Sequence, residues 1–178
     1  MVAEIEVHQR SSEARHEAAV NAVGNKRDLA AVEKALERAS EGVRESAVAM
    51  VMRANAVRGK KNSGDNAAAA ELFREATVKD PEYGGAWFGL GMALSPNLGK
   101  QGTAEEAIAA YERAVALDPS NAPAHYNLGI LLEDERKDVG AAEEAYRTAI
   151  EADPGHAMAH NNLGWLLLSE HHDLNGAD

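Results

Sequence analysis

The sequence predicts an all-α fold, a right-handed solenoid of stacked helix-turn-helix units, on three observations. Asp80-Pro81, Asp118-Pro119 and Asp153-Pro154 recur at intervals of 38 and 35 residues. Leu90-Gly91, Leu128-Gly129 and Leu163-Gly164 keep the same two intervals, and two independent marks sharing one period define a repeat array. Apolar residues make up 45% of the chain, many of them alanine, and aromatic residues only 4%. Alanine has the highest helix propensity and lets helices approach closely. In a chain of 178 residues, an internal period near 35 argues for one elongated array rather than separate globular domains.

Taken in order, residues 1–23 suit a weakly amphipathic helix that Gly24-Asn25 ends, with Asp28 as the next N-cap. From Leu29 the stripe Leu29, Val32, Leu36, Ala39, Val43, Met50 and Val57 recurs at threes, fours and sevens. It reads as one long helix or as two broken near Ser40-Glu41-Gly42, and as a solenoid pair or N-terminal cap rather than a coiled coil. Residues 1–57 are therefore set apart from an array over 58–178. Gly59 to Gly64 is a turn-rich loop. Its cations, Arg58, Lys60 and Lys61, lack the spacing of a phosphate-binding loop.

A second helix over 65–80 starts at Asp65-Asn66, carries Ala69, Phe73 and Ala76 on one face, and stops at Asp80-Pro81. Proline cannot continue a helix and disfavours the α conformation in the residue before it. The units 84–119 and 122–154 follow, then a partial unit over 157–178. Ser95 to Thr103 forms an enlarged loop that accounts for the interval of 38.

These marks resemble the tetratricopeptide pattern, W-x2-L-G-x2-Y, then A-x3-F, then P. Trp87, Leu90, Gly91 and Leu94 match the first helix, Ala107 and Tyr111 the second, and Pro119 the close. His125, Leu128, Gly129 and Leu132, followed by Ala142, Tyr146, Ala149 and Pro154, match the next unit, and His160, Leu163, Gly164 and Leu167 begin a third. The resemblance covers about residues 47–178, with a poor match at Ala47 to Val57 and histidine in place of the first-helix tryptophan at 125 and 160.

The resemblance implies that first helices line a concave groove that binds a peptide or helix of another protein. The pattern places Phe88, Gly89 and Met92 there, then Tyr126, Asn127, Ile130 and Glu133, then Asn161, Asn162, Trp165 and Leu168. Asn127 and Asn162 hold equivalent positions, and an amide can both donate to and accept from a peptide backbone. The pair resembles the asparagine ladder of the O-linked N-acetylglucosamine transferase family, although Gly89 fills the third place and asparagine also bonds neighbouring helices. An Hsp90-type carboxylate clamp needs cationic groove residues, and Phe88, Tyr126 and Asn161 stand at those positions instead.

Other classes find little support. Of the formal charge of −11, residues 61–178 carry −12 and residues 1–60 carry +1, which argues against nucleic acid and favours a cationic protein segment, or simply a solvated surface. There is no cysteine, and no motif implies a nucleophile, a phosphate loop, a metal or a cofactor. His171 and His172, read as a loop pair, and His125 and His160, one repeat apart, suit packing or solvent better than a metal. The N-terminus lacks a secretory signal and the Leu166-Leu167-Leu168 run is too short to span a bilayer, so a cytoplasmic, non-enzymatic chain is expected.

The leading function is thus a protein-protein interaction scaffold. Two alternatives stand beside it: a structural subunit stacking end to end into a filament or ring, and the regulatory array of a larger enzyme. The stacking alternative uses Leu166, Leu167 and Leu168, on a first helix over 157–168 whose second helix barely begins at Asp178, as a surface for further copies.

Overall fold

The computed structural model describes residues 29–37, 42, 45–58, 63–95 and 101–175. Every regular element among them is a helix: α1 (Leu29–Leu36), α2 (Ala47–Arg58), α3 (Ser63–Lys79), α4 (Gly84–Leu94), α5 (Gln101–Leu117), α6 (Ala122–Asp134), α7 (Val139–Ala152) and α8 (Ala157–Asn175). They fall into two compact units, the first ending at Gly89 and the second beginning at Leu90. The expected helices over 1–28 lie outside the described residues.

In the first unit, α1 packs on α2 through Val32, Leu36, Ala49, Met52 and Ala56. The long stripe from Leu29 is therefore two helices, as one of the sequence alternatives has it. Glu33 and Arg53 tie them at 2.8 Å and 3.2 Å in a forked ion pair. The Ser46 hydroxyl caps α2 by accepting the Ala49 N–H at 3.2 Å. Next, α2 packs on α3, whose Phe73 ring is fully buried. On α4, Gly89 sits against that ring, and a Cβ there would lie 2.1 Å from Phe73 Cε1. Gly89 is thus buried packing backbone, not groove lining as its repeat position suggested.

In the second unit α5, α6, α7 and α8 pack in sequence order. Its core holds Ile108, Tyr111, Leu131, Tyr146 and a majority of alanines. Each large side chain so buried contributes roughly 1.5–3 kcal/mol, and the alanines set the short helix separation. The Leu-Gly mark has a direct steric meaning here. A Cβ on Gly91 would meet Tyr111 Cε1 at 2.7 Å, and one on Gly129 would meet Tyr146 Cε1 at 2.6 Å.

Each Asp-Pro mark closes one turn in the same way. The N–H groups of Tyr83, Asn121 and His156 donate to the carbonyls of Asp80, Asp118 and Asp153 at 3.0–3.2 Å, placing proline second in a β-turn, where its fixed φ suits it. The aspartate carboxylates accept the N–H two residues on, from Glu82, Ser120 and Gly155, at 3.0–3.1 Å. Asn121, Asp138 and His156 then cap α6, α7 and α8 by accepting the N–H three residues on.

The aromatic position of the first helices adds a further tie. Trp87 Nε1 donates to the Pro81 carbonyl at 2.9 Å, and His125 and His160 put Nε2 at 3.2 Å and 3.1 Å from the carbonyls of Pro119 and Pro154. A carbonyl only accepts, so in both contacts Nε2–H is the donor. Histidine replaces tryptophan here without losing the ring N–H bond.

Three boundaries differ from the sequence reading. Helix α3 starts at Ser63 rather than Asp65, and α5 starts at Gln101, so Gln101 to Thr103 belong to a helix and not to the preceding loop. Helix α8 runs to Asn175, which makes His171 and His172 helical rather than a loop pair.

Candidate functional site

Two first helices of the second unit carry the candidate surface. On α6, Tyr126, Ile130 and Glu133 follow at four and three residues, so they share one face. All three are partly buried. On α8, Met158, Asn161, Trp165 and Leu168 share the equivalent face, with Met158 59%, Trp165 68% and Leu168 58% exposed. Three large apolar side chains open to solvent on one stripe form a patch rather than scattered exceptions.

The face of α6 is tied to α7 and α8. The Tyr126 ring lies 4.9 Å from that of His156, the N-cap of α8, and 6.0 Å from that of Tyr146. Tyr146 Oη donates to Glu133 Oε2 at 2.8 Å, and Asn162 Nδ2 donates to Tyr146 Oη at 3.4 Å. Burial pushes the Tyr146 hydroxyl well above its ordinary range, the Asn162 donor works against that, and the Glu133 carboxylate adds to it. A neutral hydroxyl held between an amide donor and a carboxylate acceptor fixes both neighbours.

This network divides the two asparagines. Asn162 bonds a neighbouring helix, the alternative open in the sequence. Asn127 makes no side-chain hydrogen bond among the described residues. The Gly89 gap follows from the same geometry, because the aromatic beneath it is Phe73, which fills the space and has no hydroxyl to receive an amide.

The other expected site residues separate by burial. Phe88 on α4 belongs to the first unit and Met92 to the second, and both are partly buried. The three-leucine surface is corrected: Leu166 is 3% exposed and belongs to the core, Leu167 is partly buried, and only Leu168 is open. Successive helical residues turn by about 100°, so a run of three cannot present one surface. Tyr146, His156 and Met158 enter the site without having been singled out for it. The signal available in the sequence was the hydroxyl that Tyr146 has and Phe73 lacks.

Just past the end of α6, Arg136 grips two carboxylates of α5, Glu105 at 2.7 Å and Glu112 at 3.2 Å. The Arg136 hydrogen bond holds the Glu105 carboxyl below its ordinary range. These groups are exposed, so the pairs add little stability.

The stacked hairpins and their first-helix faces define a helical-repeat scaffold. Tetratricopeptide-repeat family models match residues 55–95, 99–134, 122–156 and 145–177, and the chain belongs to that family. A comparison with curated proteins gave no match. Among solved structures, MamA is 24% identical with a TM-score of 0.64, over 80% of this chain and 76% of its own, and MamA from Desulfovibrio magneticus RS-1 matches as well. YrrB, described as a tetratricopeptide protein with an unusual peptide-binding site, is 23% identical with a TM-score of 0.58, over 75% of this chain and 63% of its own. The first such domain of Spaghetti (RPAP3), bound to the HSP90 peptide SRMEEVD, is 19% identical with a TM-score of 0.62, over 70% of this chain and 92% of its own. At these identities the likeness is one of fold, a solenoid of helical hairpins. No helix among the described residues is long and apolar enough to cross a membrane.

Proposed function

We propose that the chain is a non-catalytic scaffold that binds a segment of another protein along the first-helix faces of its second unit. Tyr126 and Ile130 of α6 and Asn161 and Trp165 of α8 form the contact surface, with the Asn127 amide available to the ligand backbone. The observation that carries this reading is the open stripe Met158, Trp165 and Leu168. Covering each such side chain contributes roughly 1.5–3 kcal/mol, enough to offset part of the ordering cost of association. The peptide-binding neighbours, YrrB and the Spaghetti domain, support the class of function. Met92, on the part of α4 that belongs to the second unit, is a further contact residue, and Phe88 is a candidate contact of the first unit taken by itself.

The test is a selection of short random peptides on the full chain, repeated with Trp165→Ala. Retained peptides that lose affinity for the variant, at unchanged melting temperature, support the reading; peptides indifferent to Trp165 contradict it. The same stripe favours a second reading, contact with another copy of the chain. Light scattering separates the two, since oligomers that Leu168→Glu abolishes mean that the stripe is taken by self-association.

A further inference from the structure

Glu133 is a carboxylate at the end of an apolar stripe, one helical turn beyond Ile130 and two beyond Tyr126. It is partly buried, and its position is fixed from below. Tyr146, fully buried, donates its hydroxyl to Oε2 at 2.8 Å, and Asn162 on the next helix holds that hydroxyl in turn. No cation pairs with it among the described residues. Arg136, three residues on, is committed to Glu105 and Glu112, and Arg147 is paired with Glu143. Oε1 and the remaining lone pair of Oε2 thus have no partner among the described residues, in a unit where residues 90–178 hold 15 Asp and Glu against 5 Lys and Arg.

From this arrangement we infer that Glu133 is the specificity-determining residue of the surface, and that it takes the side-chain cation of a Lys or Arg in the bound segment. The inference rests on the segment-binding reading above and adds the chemistry of the ligand. A ligand of this kind sets a large apolar side chain against Tyr126 and Ile130 and a basic side chain about one helical turn along. A pre-oriented carboxylate loses little freedom on pairing, which makes the charge-assisted hydrogen bond stronger than one to a mobile surface acid. The acidic unit around it draws a basic segment in and repels an acidic one. Glu133 thereby discriminates against segments that offer only apolar or acidic side chains.

The substitution Glu133→Gln keeps an oxygen to accept from Tyr146 and removes only the charge, so its melting temperature reports whether the fold is intact. The peptides retained by the unaltered chain from the random library are sequenced, resynthesised, and titrated against both proteins. The expected result is Lys or Arg at one fixed spacing from a large apolar residue. With it come an affinity for Glu133→Gln lower by about tenfold or more, the scale of a lost charge-assisted bond, and equal affinity of both proteins for a peptide with that cation replaced by Gln. Retained peptides without a fixed cation, or with equal affinity for the variant, overturn the inference and leave the segment-binding reading standing. If the unaltered chain retains no peptide, both fall.

Discussion

Gly129 lies so close to Tyr146 that a single added carbon would stand 2.6 Å from its Cε1 atom. The contact joins the Leu-Gly mark of a first helix to the aromatic of the second helix in the same repeat. Gly91 and Tyr111 repeat it at 2.7 Å, whereas Gly164, at the equivalent place on α8, has nothing within 4 Å of such a carbon.

One prediction follows from that contrast. Gly129→Ala forces a buried ring or its helix to move and will lower stability by roughly 1–3 kcal/mol. Gly164→Ala meets open space and will raise it by about 0.5–1 kcal/mol through helix propensity. Urea denaturation of the two variants checks both signs. Equal effects would show that the repeat glycines are not packing contacts.

The buried Tyr146 hydroxyl makes stability depend on alkaline pH. Its folded value is raised above the ordinary 10.0, so the stabilisation of the neutral form is complete below pH 10. It falls as pH rises beyond that, where the unfolded chain ionises and the folded one does not. The loss from one group reaches at most about 1.4 kcal/mol per pH unit. Tyr146→Phe will be less stable at neutral pH by about 0.5–1.5 kcal/mol and will lose less stability above pH 10 than the unaltered chain. Parallel alkaline slopes would contradict the assignment.

The two asparagines are expected to part in their effects. Asn162→Ala removes the bond to Tyr146 and will cost about 0.5 kcal/mol or slightly more. Asn127→Ala breaks no side-chain hydrogen bond among the described residues, so stability will stay within about 0.5 kcal/mol while affinity for selected peptides drops. Thermal melts paired with peptide titrations decide it, and unchanged affinity for Asn127→Ala would remove it from the site.

The repeat marks were legible because each is a local rule. Proline ends a helix wherever it stands, and a glycine repeating at a fixed period announces a close approach before the opposing ring is known. What each aspartate does was also local, since its carboxylate bonds only two residues ahead, yet the prolines overshadowed it. The site was less legible. The sequence gives Leu166, Leu167 and Leu168 as one apolar run, but only the packing of α8 on α7 decides that Leu166 goes inward and Leu168 outward. Gly89 and Asn162 share a repeat position, and their roles separate only through the ring each one meets, Phe73 or Tyr146. Glu133 stands in the sequence as one groove position among several, because the Tyr146 bond that fixes it comes from a helix thirteen residues away.

The most direct measurement of the central claim is the emission of Trp165 alone, in a chain carrying Trp87→Phe, during titration with peptides retained by selection. The account predicts a saturable blue shift as a ring 68% exposed in the free chain is covered. Binding measured independently on the same samples, with Trp165 emission unchanged at saturation, would contradict it.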